Sequence, residues 1–268
     1  VTTGTLVARV VPPVVGRGAA KILERNYLVY RHVWLIVFSG FFEPLFYLFS
    51  IGIGIGRLVG DVTGPDGTPI PYTAFVAPAL LGAAAMNGAV YESTFNIFFK
   101  LKFGKIYDAI LATPMQPTDV AVGEVIWSLL RGAIYAAGFL AVMGVMGLIT
   151  SWWGILALPA AVLIGFAFAA VGMAATTFMR SWQDFDLVQL VTLPLFLFSA
   201  TFYPLDVYPE TLRIVTRLSP LYHGVEILRS FTLGVFDWSL VGHVAFLVAM
   251  GLVGMTIAAR RLEQLLLT

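Results

Sequence analysis

Runs of about 20 apolar residues, the length an α-helix needs to cross roughly 30 Å of hydrocarbon, recur along most of this chain. Six can be marked, at residues 33–56, 73–98, 120–149, 154–179, 187–203 and 240–259. Of the 268 residues, 59% are hydrophobic and 12% are charged. A soluble domain carries about 25% charged residues, so only half the usual charge is available to cover a water-facing surface. The expected fold class is an all-α polytopic membrane protein with six transmembrane helices, one transmembrane domain over residues 1–268. The fifth run is short for a span, at about 17 residues.

An even number of spans puts both termini on one side, and the distribution of arginine and lysine chooses which. Arg9, Arg17, Lys21, Arg25, Arg31, Lys100, Lys102, Lys105, Arg180, Arg260 and Arg261 fall on one side. Arg57, Arg213, Arg217 and Arg229 fall on the other. The termini are expected in the cytoplasm. Arginine outnumbers lysine, which together with the opening Val1 suggests a GC-rich bacterial gene. No apolar core precedes the first run, so no cleaved leader is expected.

Four segments do not read as spans. In residues 14–32, Arg17, Lys21, Glu24 and Arg25 recur at helical offsets, with Ile22, Leu23, Leu28 and Val29 supplying the apolar remainder. That pattern predicts an amphipathic helix lying in the membrane interface. Residues 57–72 are rich in glycine and proline and predict an external loop. Residues 99–119 form the main cytoplasmic loop, with a short helix over 103–112 that Pro114 and Pro117 bring to an end. Residues 204–238 are semi-polar, divided by prolines into helical stretches at Glu210–Leu218 and Leu221–Leu233. They are too polar to span and too apolar for a free loop, and they predict helices dipping into the outer leaflet.

Several chemistries are excluded. A net charge of +1 without a basic face argues against nucleic acid. The absence of cysteine removes thiolate metal sites and cysteine nucleophiles. His32, His223 and His243 stand apart in the sequence and form no metal-ligand spacing, so no metal is expected. No catalytic residue is expected, since no nucleophile–base or paired-carboxylate arrangement is visible; Asp184 and Asp186 merely flank one phenylalanine. No G-x-x-x-x-G-K-[ST] phosphate loop occurs, and the glycines of 52–56 sit at the end of a span where small-residue packing explains them. A pump built on this chain needs its ATPase on another polypeptide.

Ionisable residues inside spans cost at least about 2.5–3.5 kcal/mol each at mid-membrane and point to function or to pairing. Here they are Glu43, Glu92, Glu124 and Arg131, with Asp186 at the mouth of the fifth span. At about 1.5 Å per residue, Glu43 lies about 15 Å, Glu92 about 12 Å and Arg131 about 18 Å from the cytoplasmic edge. Arg131 is thus in reach of either acid, and Glu124, seven residues earlier on the same helical face, competes for it. A structural intramembrane ion pair among Glu92, Glu124 and Arg131, a polar lining of a transport path, and a proton relay all fit this pattern. Glu43-Pro44 marks either a hinge or a fixed bend in the first span. Aromatic clusters (Phe41, Phe42, Phe46, Tyr47, Phe49, then Phe196, Phe198, Phe202, Tyr203) occupy the outer halves of the first and fifth spans, as an interfacial belt, packing, or a gate.

Two stretches carry a resemblance. Residues 107–124 read YDAILATPMQPTDVAVGE, and residues 203–229 contain YPLDVYPE followed by LSPLYHGVEILR. With six spans and inside termini, the chain resembles the permease subunit of type-2 ATP-binding-cassette (ABC) exporters. It is most similar to the nodulation-factor, or lipo-oligosaccharide, exporter permeases, a match supported by EPLFYL from Glu43 and FVAPALL from Phe75.

The resemblance implies roles for the segments already marked. Residues 103–112 would be a coupling helix seated on the ATPase, with Phe103, Tyr107, Asp108, Leu111 and Pro114 as contacts. Residues 14–32 would be an interfacial helix that also touches the ATPase, and residues 204–233 the outer re-entrant helices that close the exit. Two permeases, as a homodimer or with a sister permease, would face each other with two ATPase copies in a bacterial inner membrane, in contact with membrane lipid. Glu43, Glu92, Phe41, Phe42, Phe196 and Tyr203 would then lie near the substrate path. No cofactor is implied in this chain; ATP and Mg belong to the partner ATPase. Sugar-polymer exporters carry long aromatic ladders and none is obvious here, which favours a lipid-linked oligosaccharide, glycolipid or similar amphiphile. A drug-efflux permease with a small hydrophobic substrate is the alternative, followed by an ion-coupled secondary carrier.

Overall fold

The computed structural model describes residues 17–31 and 42–266. The chain is helical almost throughout, and four helices are long and apolar enough to cross a membrane. These are α3 (Tyr72–Phe103), α5 (Pro117–Val145), α6 (Trp152–Thr176) and α10 (Ser239–Leu266). The first expected span is described only from its second part: α2 (Phe42–Tyr47) continues through a π-helical stretch, Leu48–Ile55, and a last turn, Gly56–Val59. The fifth expected span is a helix of 15 residues, α7 (Asp184–Phe198), which begins and ends earlier than 187–203 and contains Pro194.

Shorter helices complete the chain. They are α1 (Arg17–Tyr30), α4 (Ile106–Leu111), α8 (Glu210–Leu218) and α9 (Pro220–Leu233). The expected external loop is not wholly irregular: Asp61–Thr63 and Pro69–Pro71 pair as a two-stranded antiparallel ribbon with Val62 opposite Ile70. Gly67 closes it at φ 81°, a backbone conformation that favours glycine.

Close approach of helices is achieved with small residues, which stand in for the hydrophobic driving force that lipid does not supply. The core helix α6 packs on α3, α5, α9 and α10. Its Ala160, Ala161, Ala167, Ala169 and Ala170 are buried, and α3 answers with Ala74, Ala77, Ala79 and Ala83. On α10 the buried positions Leu247, Gly251, Gly254, Ala258 and Leu262 recur every three or four residues, one stripe of a helix whose other faces are open. By contrast, no residue of α7 is buried.

Pro117 does not only end the preceding loop; it also opens α5. Proline at the first helical position lacks an N–H that would have no partner there. Gln116 and Asp119 form a reciprocal capping box at the same end, with the Gln116 amide donating to Asp119 Oδ2 at 3.1 Å. The amphipathic segment docks directly on α5. Ile22 lies against Gly123, where a Cβ would come within 2.6 Å of the isoleucine side chain.

Candidate functional site

The C-terminal third of α3 is wound wide, with π turns at Glu92–Asn96 and Phe99–Phe103. Such turns are frequent at functional sites. Glu92, Asn96 and Lys100, four residues apart, all reach a polar seam between α3, α5 and α1. Facing them on α5 are Glu124 and Arg131, two helical turns apart, and on α1 are Asn26 and Tyr30, one turn apart.

Two clusters result. In the first, Glu124 Oε2 receives Lys100 Nζ at 2.8 Å and Asn26 Nδ2 at 3.1 Å, while Oε1 receives the Tyr107 hydroxyl at 3.2 Å. Lys100 also reaches Asn26 Oδ1, at 3.5 Å. In the second, Glu92 accepts from Arg131 Nη1 at 2.6 Å, Asn96 Nδ2 at 2.6 Å and the Tyr30 hydroxyl at 3.4 Å. The Arg131 guanidinium also lies over the Tyr30 ring, 4.8 Å from its centre. Each buried acid therefore has one cation and two neutral donors, the condition under which a desolvated ion pair is tolerated.

Of the acids expected to compete for Arg131, Glu92 is the one that meets it. Glu124 takes Lys100, because wide winding at the end of α3 brings that lysine back into the bundle. Lys100 was counted as a loop cation in the sequence, yet it is buried.

The short helix α4 hangs on the first cluster. Lys105 adopts a left-handed conformation, φ 42°, and turns the chain out of α3 into α4. Tyr107 then points inward and is 1% exposed. Burial, followed by the charge of Glu124, holds its hydroxyl well above the usual tyrosine range, so it stays a donor. Tyr30 is pushed up to about 12 by burial and by Glu92. Of the expected coupling contacts, Asp108 and Pro114 face outward, Leu111 is half-buried, and Phe103 belongs to the end of α3.

The expected path residues divide between two ends. Phe42 stacks on Phe46 in α2 with ring centres 6.1 Å apart. Tyr47 meets Phe196 at 5.9 Å, Phe196 meets Phe202 at 5.2 Å, and Tyr203 meets Tyr208 at 5.9 Å, so aromatics join α2 to the end of α7. Glu92 lies apart from them in the polar seam. Phe41 and the side chain of Glu43 lie outside the described residues.

Three features escaped the sequence reading. An aromatic ladder exists after all: Tyr91, Phe95, Phe99 and Phe103 follow one another at 5.0, 5.9 and 5.3 Å. Its four-residue spacing was visible in the chain. Trp182 and Phe185 join it from the base of α7, at 4.8 and 4.4 Å from Phe95. Second, His223 and His243 are not isolated, since their Nδ1 atoms lie 2.6 Å apart. Third, Arg229, counted on the outer side, is 1% exposed; it lies over the Phe75 ring and binds Glu226 and the carbonyls of Phe75 and Ala200. It thereby ties α9 to α3 and to the segment after α7.

Residues 20–233 match the ABC-2 type transporter family. The chain belongs to this family. Its relatives include "Nodulation protein J" of Rhizobium leguminosarum bv. trifolii, 33% identical over 216 residues, 80% of each chain. The protein of the same name from Rhizobium meliloti (strain 1021) is 31% identical over 225 residues, 83% of this chain and 84% of its own. That of Rhizobium leguminosarum bv. viciae is 29% identical over 259 residues, covering 94% and 98%. An ABC-2 chain of this kind is the membrane permease subunit of an ABC transporter, whose ATPase is a separate subunit. In this permease the polar seam lies wholly within the matched region. Among the described residues no cluster of three metal-ligating side chains occurs.

Proposed function

We propose that this permease is the membrane half of an ATP-driven exporter, with α4 as the element that receives the push of the ATPase. The observation that carries this reading is the anchoring of α4. Tyr107 holds it to a buried carboxylate that α1, α3 and α5 share. A short helix tied at one point to three others transmits displacement as a rigid body, since packed interiors shift between arrangements and do not deform continuously. Asp108, exposed on α4 beside the inward Tyr107, is the contact offered to the ATPase.

In this reading six helices span a bacterial inner membrane, α2 and the short α7 completing the four long ones, with both termini in the cytoplasm. Helices α8 and α9 lie at the outer side and close the exit. Two permeases assemble with two ATPase copies, which hold ATP and Mg. The substrate is a lipid-linked oligosaccharide or similar amphiphile, by analogy with the nodulation proteins it is similar to. The ladder from Tyr91 to Phe103, with Tyr91, Phe99 and Phe103 exposed, supports a sugar-bearing substrate, because aromatic faces offer stacking surfaces to sugar rings.

Copurification tests the proposal. The permease is expressed with the ATPase encoded nearest to it, solubilised gently and pulled down. Asp108→Arg is expected to release the ATPase while leaving the permease folded, as judged by its thermal unfolding. If no ATPase binds the unaltered permease under any condition, the exporter reading fails and an ion-coupled carrier takes its place.

A further inference from the structure

Helix α9 is fixed to the bundle at several points along its second half. Arg229 donates to the Phe75 carbonyl at 3.2 Å, and the Thr232 carbonyl accepts from the amides of Thr150 and Ser151 at 3.0 and 3.2 Å. At mid-helix, α6 comes so close to Gly224 that a Cβ there would fall 2.7 Å from the Ile164 side chain. None of these ties changes charge between neutral and acid solution, since arginine stays protonated throughout.

The first turn is held differently. It meets α10 through His223 and His243, whose Nδ1 atoms lie 2.6 Å apart. Ring contacts fix the approach: His223 stacks on Phe246 at 4.1 Å, and Tyr222 is edge-on to both imidazoles at 5.8 Å. Just before the helix, the Ser219 hydroxyl lies 2.5 Å from that of Ser199, which ties it to the end of α7 and not to α10.

A hydrogen bond between two Nδ1 atoms needs one donor and one acceptor. Two neutral rings supply them when one carries its proton on Nδ1 and the other on Nε2, and so does one imidazolium beside a neutral ring. Two imidazolium rings cannot, because every ring nitrogen is then a donor and like charges face each other. The surroundings delay that state. Both rings are half-buried and stand within the first two turns of their helices, at the positive ends. The charged side chains that act on the pair are Glu226 and Asp237, and the Arg217 carbonyl faces His223. Glu226 is engaged by Arg229 at 3.1 Å and Asp237 by the Ser239 amide at 3.4 Å. Burial, then His243, push His223 down to about 4, so the doubly charged pair is reached only in acid.

We propose that the His223–His243 pair is a proton-operated latch, which holds the first turn of α9 to α10 while at most one ring is charged and releases it when both are. The released turn pivots on the untitrated anchors at Arg229 and Thr232 and takes the end of α8 with it through Ser219. The consequence for transport rests on the exporter reading: α8 and α9 close the exit there, so acid on the outer side frees the closing pair.

The test is hydrogen exchange, read by mass spectrometry, on the permease in lipid nanodiscs with the ATPase that copurifies with it. The unaltered protein is compared at pH 7 and again at pH 4.5 with the paired change His223→Asn and His243→Asn, whose amides can bridge the helices and take no proton. Comparison at equal pH removes the intrinsic pH dependence of exchange. It also cancels the titration of Glu226 and Asp237, which both proteins keep. At pH 7 the two are expected to exchange alike. At pH 4.5 the amides of residues 221–227 should exchange at least fivefold faster in the unaltered protein, while those of residues 229–233 and of α3 should not differ. His223→Phe keeps the ring contact with Phe246 but lacks the bridging bond at either pH. It should exchange faster than the unaltered protein at pH 7 and no faster at pH 4.5, and it decides alone if the paired variant does not fold. Equal exchange of residues 221–227 in the compared proteins at pH 4.5 overturns the latch for the paired variant, as a lead of His223→Phe undiminished by acid does for the single one. An acid-induced rise shared by α3, α6 and α10 also overturns it, since that is general unfolding. Absence of the ATPase with the pH 4.5 difference intact counts against the exporter reading alone, and an intact complex without the difference counts against the latch alone.

Discussion

Lys100 Nζ lies 2.8 Å from Glu124 Oε2, with the two side chains 9% and 2% exposed. The pair joins the end of α3 to α5 where α1 and α4 also converge. Removing one partner strands a buried charge, so Lys100→Ala should destabilise the permease by about 3–5 kcal/mol. The double change Lys100→Met with Glu124→Leu should recover most of that loss, since a buried pair is often replaceable by apolar groups of similar size. Thermal unfolding in detergent of the two variants checks both statements.

Asn26 is the neutral link from α1 into the same cluster and is 1% exposed. Asn26→Ala withdraws one donor from Glu124, at a cost of about 1–3 kcal/mol for the group left short. The loss should be local. Hydrogen exchange is expected to speed up along α1 and α4 and to stay unchanged in α10, which takes no part in the cluster.

At Gly254 the α10 helix lies directly against the backbone of α6. A Cβ there would fall 2.8 Å from the Ala170 carbonyl carbon and from the Val171 amide nitrogen, both backbone atoms that cannot swing away. Gly254→Ala should therefore separate the two helices and cost about 1–3 kcal/mol, as overpacking typically does. Gly242, which has open space around it, tolerates alanine. Comparing the unfolding temperatures of the two variants checks the contrast.

His223 lies on α9, outside the four long spanning helices, with its Nδ1 2.6 Å from that of His243. Burial, then the neighbouring His243, push it down from 6.5 to about 4. A depressed folded value means that the stabilising contribution is complete above pH 6.5 and is lost as pH falls toward 4. Unfolding temperature measured from pH 7 to pH 4 should fall in the unaltered permease. The fall should be shallower in His223→Phe, which keeps the ring contact with Phe246 and cannot accept a proton.

What the chain alone determined is its class, its family resemblance and its local periodicities. The four long helices follow from apolar runs of sufficient length, because a backbone in hydrocarbon has to satisfy its own hydrogen bonds. The amphipathic α1 was legible in its charge spacing, and so were the proline boundaries around α8 and α9. The spacing of the aromatic ladder was also in the chain, at every fourth residue through Tyr91, Phe95, Phe99 and Phe103, although no ladder was expected from it. What only the tertiary structure decided is which charge meets which. Arg131 at seven residues was the one partner for Glu124 that helix periodicity could supply. Lys100 reaches that acid from another helix, 24 residues away, through wide turns that no propensity announces. The inward Tyr107, the His223–His243 pair and the open face of α7 have the same origin. Each depends on where separate helices cross, and crossing is set by packing of small residues in three dimensions, not by the order of residues along one helix.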